Sequence, residues 1–235
     1  MTARNLAQRR LEPEAMDDPA VDPLLHRDAL EKLGQFNFLA GCAGTVGAEL
    51  ARLGSRGTAL RVLDLATGGG DLPRRLMRRA AREGLPWTVD GADVSSNAVL
   101  HAREASAGLP AQQRPSFFEL NVLLDPMPVG YDVLTCSLFL HHLSESDAIA
   151  LLAKMRAAAK RAIIVQDLVR SPAALRLAWL ATRLCSRNPL ILEDGPASVA
   201  AAFTIDEVRE LAKHADLDKA RVHRRWPYRW VLTAQ

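Results

Sequence analysis

The sequence predicts an α/β protein built on a mostly parallel, seven-stranded sheet. Five short apolar runs alternate with stretches of helical periodicity, at 60–65, 87–93, 117–120, 131–136 and 161–166. This alternation is typical of βαβ units, whose parallel strands are buried on both faces. Two further runs, at 221–225 and 229–232, lie close enough to form a hairpin that turns at Pro227. The sheet should therefore end in an antiparallel strand.

Two regions of the chain differ in their pattern. Residues 1–57 are expected to form an N-terminal helical extension or lid, in which a loose lead-in over 1–20 precedes two helices within 24–53. Residues 58–235 are expected to form the domain that carries the sheet, with an amphipathic helix inserted at about 171–187.

Local signals place further elements within the larger region. Ser144-Glu145-Ser146-Asp147 resembles a capping box and opens a helix to about residue 160. Thr204 and Glu207 have the same spacing and open a helix to about residue 215. Asp194-Gly195 is predicted to be a turn, because both residue types favour turn conformations.

Composition and charge exclude several classes of protein. Of the 235 residues, 49% are hydrophobic and 24% are charged, which is typical of globular domains. No uncharged apolar run is long enough for a transmembrane helix, so no membrane insertion is expected. The three cysteines form no CxxC pair, so we predict no disulfide framework and no metal site, and we expect a reducing cytoplasm. A net charge of +3 is small for a nucleic-acid-binding protein, and no nucleic-acid partner is predicted.

The first predicted strand leads into a glycine-rich turn, Asp64-Leu65-Ala66-Thr67-Gly68-Gly69-Gly70-Asp71. Glycines let the backbone approach a ligand closely, and the helix that follows offers free N–H groups. The third glycine of a dinucleotide-binding fingerprint is absent, since Pro73 stands in its place, and the lysine of a phosphate-binding loop is missing too. The turn favours a nucleoside ligand without identifying it.

Two other strand ends carry polar side chains that suit a nucleoside. Asp93 follows the second run, where a carboxylate can accept hydrogen bonds from both hydroxyls of a ribose. Its alternative role is to cap the helix that starts near Ser95. Asn121 and Val122 follow the third run, where an amide side chain and a backbone N–H can pair with an adenine ring, or can simply belong to a polar loop.

The order and spacing of these features resemble the class I S-adenosylmethionine-dependent methyltransferases. Within them, the glycine-rich turn and Leu138-Phe139-Leu140-His141-His142-Leu143 look like the ubiquinone-methyltransferase-like group that acts on small molecules. The resemblance covers roughly residues 58–170 and implies a Rossmann-like fold with S-adenosyl-L-methionine as cofactor. Ala66 departs from it, because glycine is common there.

The resemblance also implies positions for the cofactor. Gly68 and Gly70 would lie against its methionine part, Asp64 would hold the turn and the α-amino group, Asp93 would hold the ribose, and Asn121 with Val122 would hold the adenine. Ser137 or Leu138 would face the transferable methyl group. The full set of expected cofactor-binding residues is Asp64, Ala66, Thr67, Gly68, Gly70, Asp71, Asp93, Val94, Asn121, Val122, Ser137 and Leu138.

The segment after the fourth strand narrows the choice of acceptor atom. It reads Thr135-Cys136-Ser137-Leu138-Phe139 and lacks the Asn/Asp-Pro-Pro-Tyr motif by which amino-methyltransferases resemble one another. Cys136 is expected to be a small buried filler rather than a nucleophile. An oxygen or a carbon of a small molecule remains as the acceptor. His141 and His142 are the candidate catalytic bases, since histidine titrates near neutral pH, although one can pack in the loop and the other face solvent.

The predicted helix at about 171–187 bears on the acceptor. It can cover an apolar acceptor pocket, form a homodimer contact or plain core helix, or rest on a membrane surface. Phe36, Asn37 and Trp179 are the expected substrate-binding residues, and the expected acceptor is lipophilic: a phenol, a polyketide-like compound or a fatty acid. The chain looks similar to small methyltransferases of bacterial secondary metabolism.

Three other functions compete with methyl transfer. A nicotinamide-dependent oxidoreductase could use a similar sheet, but the only tyrosines, Tyr131 and Tyr228, lack the partner of a Tyr-x-x-x-Lys pair. A cofactor-binding subunit without catalysis is the second alternative. RNA binding is the third, although a solvated helix face explains the arginines of 74–82 more simply.

Overall fold

The computed structural model describes residues 6–18, 20–54 and 57–235. Its centre is a seven-stranded sheet with the order β3-β2-β1-β4-β5-β7-β6. The strands are β1 (Leu60–Leu65), β2 (Trp87–Asp93), β3 (Phe117–Glu119), β4 (Val133–Ser137), β5 (Ala162–Leu168), β6 (Arg221–Arg225) and β7 (Arg229–Ala234).

The pairing of the strands agrees with the predicted topology. Strands β1 to β5 pair in parallel, and β7 lies antiparallel between β5 and β6. The chain runs outward from β1 to β3 on one side and then returns to place β4 on the other side of β1. Strand order therefore reverses between β1 and β4, and in open α/β sheets ligands bind outside the carboxyl ends of the strands at this point.

Eight α-helices accompany the sheet in the described part of the chain. They are α1 (Pro23–Leu39), α2 (Cys42–Arg52), α3 (Asp71–Glu83), α4 (Ser96–Ser106), α5 (Glu145–Ala158), α6 (Pro172–Cys185), α7 (Pro189–Ala201) and α8 (Ile205–His214).

Helices bury both faces of the sheet. Because side chains alternate along each strand, neighbouring residues of one strand pack on opposite faces. Leu63 and Leu65 of β1 pack in one apolar cluster with residues of α5 and α8. Val62 of the same strand packs in a second cluster with residues of α2 and α3. Nearly continuous apolar strands of this kind are expected where helices cover both sides.

Two local predictions are corrected by the structure. Asp194-Gly195 lies inside α7 rather than in a turn. Asn188 caps this helix by accepting the N–H of Leu190, and a Cβ at Gly195 would come within 2.5 Å of Thr182 on α6. Glycine therefore stands there because α6 and α7 approach closely, a reason that the local sequence does not reveal.

The second correction concerns the expected loose lead-in over 1–20. Its described residues 6–18, here called the strap, run across the edge of α7. Asp194 accepts the backbone N–H of Ala15 at 2.8 Å and of Met16 at 3.1 Å, and Arg10 N–H donates to Ala200 at 3.2 Å. These contacts hold the strap against the helical layer and place its side chains beside the carboxyl ends of the strands.

Candidate active site

A cavity of about 310 Å³ opens at the carboxyl ends of β1, β4 and β5, beneath α1, α6, α7 and the strap. Most of its wall is apolar, and polar side chains gather at two places: beside the glycine turn and beside the loop after β4. Its lining includes Glu14, Met16, Leu33, Phe36, Asn37, Ala66, Thr67, Gly68, Gly69, Asp71, Ser137, Leu138, His141, His142, Ala174, Leu177, Ala178, Ala181, Ile191 and Ser198.

The glycine turn depends on left-handed backbone conformations. Gly68 and Gly70 have φ of 53° and 70°, and Ala66 has φ of 51°. The conformation of Ala66 explains why glycine suits that position and why a small residue replaces it. A Cβ at Gly70 would lie 2.6 Å from the ring of Phe117, so only glycine fits where the turn meets β3.

Asp64 lies beneath the turn and is almost completely buried. The hydroxyls of Thr67 and Thr135 each donate to its carboxylate at 2.7 Å, which fastens the turn to β4. Burial raises the pKa of Asp64 to about 7, although both hydroxyl groups work in the opposite direction. Asp64 thus fastens the glycine turn from below, while Asp71 is one of the carboxylates that line the cavity.

Asp71 faces the N-terminal helices. Burial raises the pKa of its carboxyl, although Arg74, Arg75 and Asn37 of α1 act in the opposite direction. Phe36 and Asn37 both line the cavity, as expected from the sequence. Helix α1 therefore closes the side of the cavity next to the turn.

Asp93 joins the ends of two strands. One of its carboxylate oxygens accepts the N–H of Gly68 at 2.7 Å and the other accepts the N–H of Ser95 at 3.0 Å. Ser95 in turn caps α4 through its own hydroxyl. Ser95, rather than Asp93, is thus the N-cap of α4, and Asp93 instead supports the residue that caps it. The neighbouring Val94 is largely exposed.

Asn121 also makes local contacts. Its side-chain oxygen accepts the N–H of Leu123 at 3.0 Å and of Leu124 at 3.2 Å, which shapes the loop after β3. Val122 beside it is buried. Asp93 and Asn121 stand at the tips of β2 and β3, beyond the residues that line the cavity.

The end of β4 forms the floor next to the turn. Leu138 has φ of 57°, and its N–H donates to the carbonyl of Gln166 at 2.9 Å. Ser137 accepts a hydrogen bond from the Gln166 side chain at 3.1 Å. Cys136 is fully buried, as predicted, and burial raises the pKa of its thiol well above the usual value. It is therefore not a reactive thiolate.

His141 and His142 follow in a short 3-10 turn, Leu140–His142, and their ring centroids are 4.3 Å apart. Asp167, at the end of β5, accepts a hydrogen bond from Nδ1 of His141 at 2.7 Å and another from its backbone N–H at 3.0 Å. On the other side, Nε2 of His141 lies 3.5 Å from Oε1 of Glu14, and Nε2 of His142 lies 3.8 Å from Oε2 of Glu14.

This cluster controls the charge of His141. Burial alone would lower the pKa of the ring, but Asp167 and Glu14 outweigh burial and raise it to about 10. Burial would likewise raise the pKa of Glu14, and His141 reverses the effect and lowers it. His141 therefore carries a positive charge at neutral pH and can stabilise an anionic oxygen.

The structure does not bring Trp179 to the cavity. Its ring stacks against the guanidinium of Arg183 at 4.3 Å, while Ala174, Leu177 and Ala178 are residues of α6 that face the cavity. The helix therefore covers the cavity with a different side from the one on which Trp179 lies.

Sequence reasoning missed the strap and α7 as parts of the site. Glu14, Met16 and Ser198 line the cavity, and the Ser198 hydroxyl donates to the Glu14 carboxylate. Glu14 lies 127 residues before His141 in a segment without helical or strand periodicity, so no local signal connects the two. Glu14 also belongs to a group that could hold a metal ion. The ligand atoms of Glu14, His141 and His142 lie within 4.8 Å of one another.

Comparison with known proteins agrees with this geometry. Residues 63–162 match the family model of a methyltransferase domain. No curated protein matches the sequence. Among the described residues, no helix combines the length and hydropathy that a membrane span requires.

Several solved structures share the fold. A protein from Nostoc punctiforme PCC 73102 that is assigned to the O-methyltransferases is 17% identical over 83% of this chain, with a TM-score of 0.59. Magnesium protoporphyrin IX methyltransferase from Synechocystis PCC 6803, with bound S-adenosylhomocysteine, is 19% identical over 92% of this chain and 89% of its own, with a TM-score of 0.59.

A third structure is NcsB1, an O-methyltransferase from neocarzinostatin biosynthesis in complex with S-adenosylhomocysteine and 1,4-dihydroxy-2-naphthoic acid. It is 16% identical over 94% of this chain, with a TM-score of 0.64. The chain spans 56% of the length of the Nostoc protein and 61% of NcsB1. Residues 63–162 thus match a methyltransferase domain, and the chain shares the Rossmann-like fold of these solved structures.

Proposed function

We propose that this chain transfers the methyl group of S-adenosylmethionine to a hydroxyl oxygen of a small, mostly apolar acceptor. One observation carries the proposal: a single cavity runs from the glycine turn at Gly68 to the pair His141 and His142. A cofactor at the turn and an acceptor hydroxyl at the pair would meet inside this cavity. A carbon acceptor is the variant of the reaction that the histidine pair favours less.

The cofactor would lie along the tips of β1, β2 and β3. Gly68 and its neighbours leave room for the methionine part, and Asp71 offers a carboxylate inside the cavity for the α-amino group. Asp93 would bind the ribose through its carboxylate, which the glycine turn holds at the tip of β2. Asn121 and Val122 would bind the adenine at the tip of β3.

The acceptor would occupy the opposite part of the cavity, under α6, α7 and the strap. Leu177, Ala178 and Ile191 make this part apolar, which favours a phenol, a polyketide-like compound or a fatty acid. NcsB1 was crystallised with a hydroxylated naphthoic acid, which supports an aromatic acceptor of this size. A cavity of about 310 Å³ is at the lower end of the range for small-molecule sites.

The protein's main task in such a reaction is alignment, because the sulfonium leaving group is already good. Correct placement of two reactants can lower the barrier by about 7–11 kcal/mol. The remaining task is the removal of the hydroxyl proton. His142, as the base of the pair, would accept this proton, and the positive charge of the already protonated His141 would stabilise the oxygen anion that results.

The proposal is tested by measuring S-adenosylhomocysteine formation with a panel of phenols, hydroxynaphthoic acids and fatty acids, and with polar amino acids and sugars as controls. Turnover should be fastest with an apolar hydroxyl compound. A polar acceptor as the best substrate would contradict the apolar assignment. Calorimetric titration with S-adenosylhomocysteine and with NAD decides the rival oxidoreductase function, which would require binding of NAD alone. Binding of S-adenosylhomocysteine without turnover of any acceptor would favour the non-catalytic subunit instead.

Four further expectations stay predictions: membership of the ubiquinone-methyltransferase-like group, a role in bacterial secondary metabolism, a cytoplasmic location, and the division at residues 57/58. Cys42, Cys136 and Cys185 are free thiols. A homodimer through α6 is also a prediction, supported by the exposed side chains of Leu180 and Leu184.

A further inference from the structure

Glu14, His141 and His142 form a corner of the cavity in which the side chains are too far apart for ordinary hydrogen bonds between Glu14 and the two rings. The two contacts between Glu14 and the rings measure 3.5 and 3.8 Å, longer than the range of about 2.7–3.2 Å for N–H···O hydrogen bonds. Ligands that share one tetrahedral ion at bond lengths of 2.0–2.2 Å lie roughly 3.4 Å apart. The spacing in this corner is therefore closer to that of neighbouring ligands than to that of hydrogen-bond partners.

The partners of these side chains also match those of metal ligands. A metal-bound histidine almost always donates its other ring N–H to a carboxylate or carbonyl, which fixes the tautomer. His141 does so to Asp167 at 2.7 Å, and this leaves Nε2 directed toward Glu14. Carboxylate ligands are themselves hydrogen-bonded, and Ser198 donates to Glu14. Both buried side chains of the corner thus have outer partners of the expected kind.

Charge supports the same conclusion. With both rings neutral, Glu14 and Asp167 place two negative charges in a buried site, where an uncompensated charge is costly. The guanidinium of Arg9 on the strap partly offsets the charge of Asp167, but it donates its hydrogen bonds to the backbone carbonyls of Leu140 and His141 rather than to these carboxylates. A divalent cation would balance the two carboxylates and leave each ring nitrogen as a neutral ligand.

We propose that Glu14, His141 and His142 bind one divalent transition-metal ion of the zinc type at the wall of the acceptor cavity. Imidazole nitrogen and carboxylate oxygen are both ligands of zinc, and three protein ligands leave one position open. The ligand atoms lie within 4.8 Å of one another, so a movement of roughly 1 Å closes them around an ion. The ion takes the place of the proton that His141 otherwise carries on Nε2.

The open position faces the cavity, because all three side chains line it. This part of the inference rests on the proposed function: the ion would hold the acceptor oxygen and make its proton easier to lose. Binding of the ion itself does not depend on methyl transfer and can be measured without an acceptor.

The test uses the full chain without a polyhistidine tag, since a tag would bind the same ions. The protein is dialysed against Zn²⁺, freed of excess ion by gel filtration and assayed for metal by mass spectrometry. We expect about one zinc ion per chain. After loading with Co²⁺ instead, we expect visible absorption as strong as that of a tetrahedral Co²⁺ site. The Glu14→Gln and His142→Gln variants should bind zinc at least ~10-fold more weakly. His214→Gln, an exposed histidine at the end of α8, is the matched control and should keep the full zinc content.

Two readouts separate loss of the site from loss of the fold. Zinc should raise the melting temperature of the wild type and of His214→Gln but not of Glu14→Gln, while S-adenosylhomocysteine should raise it in all three. Zinc content near zero in the wild type, or equal zinc content in wild type and Glu14→Gln, overturns the proposal. One bound zinc together with no methyl transfer to any acceptor would leave the metal site in place and remove the proposed function.

Discussion

The carboxylate of Asp93 accepts a hydrogen bond from the backbone N–H of Gly68 at 2.7 Å. This bond ties the end of β2 to the glycine turn after β1, the two places where the cofactor is proposed to lie. Asp93 thus shapes the turn in the free protein, and it would touch the ribose in the complex. Local structure and ligand binding depend on the same side chain.

Replacement of Asp93 by alanine should weaken S-adenosylhomocysteine binding by about 1.5–3 kcal/mol, or roughly 10- to 150-fold. The reason is the loss of charged acceptors for the ribose together with the bond that orders Gly68. Isothermal titration calorimetry measures the change, and Glu119→Ala, an exposed carboxylate at the tip of β3, is the control that should bind normally. Equal affinities of Asp93→Ala and the wild type would remove Asp93 from the cofactor site.

Double replacement of His141 and His142 by glutamine should lower kcat by about 10²- to 10⁴-fold, the range for a lost acid–base contribution. The affinity for S-adenosylhomocysteine should stay the same, because the proposal places both rings at the acceptor rather than at the cofactor. Single-turnover rates at saturating acceptor measure the effect. An unchanged rate would mean that the pair serves only to pack the loop after β4.

Filling the apolar part of the cavity should affect the acceptor alone. Ala178→Phe places a ring in the cavity from α6, and we expect KM for the acceptor to rise at least ~10-fold while cofactor affinity stays constant. Leu180→Phe, on the exposed side of the same helix, is the matched control. Similar kinetics for both variants would place the acceptor elsewhere.

The buried Asp64 predicts a dependence of stability on pH. Its folded-state pKa is about 7, above the usual value of 3.8, so the folded protein holds this proton more tightly than the unfolded chain does. The stability that this gives is complete below pH 3.8 and is lost as pH rises through about 7. Between these limits the free energy of unfolding of the wild type, relative to Asp64→Asn, should fall by on the order of 1 kcal/mol per pH unit. Urea unfolding at pH 5, 6, 7 and 8 measures this difference, and a flat or rising difference would contradict the assignment.

The strap should depend on Asp194. Asp194→Ala removes the acceptor of the N–H groups of Ala15 and Met16, and because these donors are only half-buried, each loss should cost about 1 kcal/mol. Amide hydrogen exchange over residues 6–18 should become faster, while exchange in β1 and β4 should not change. Slow exchange in the strap of the variant would show that its other contacts, such as those of Arg9, hold it without Asp194.

Particular residues show where sequence reasoning succeeded and where it could not. The glycine turn was identified because its backbone conformation restricts the residue types at Gly68 and Gly70, which makes the signal local. The capping box of Thr204 and Glu207 was confirmed for the same reason, since its two bonds join residues three apart. The prediction for Asp194-Gly195 was wrong, because the packing of α6 against α7 outweighed the local preference for a turn.

The sequence alone was sufficient to locate the strands, most helices, the glycine turn and the polar strand ends. Hydrophobic periodicity, helix capping and backbone conformation all depend on residues that are close in sequence. Only the tertiary structure decided that Glu14 meets His141 and His142, that Asp167 supports them, and which side of α6 faces the cavity. These contacts join residues up to 128 positions apart, and the packing of the strap and α7 over the sheet, rather than any local preference, brings them together.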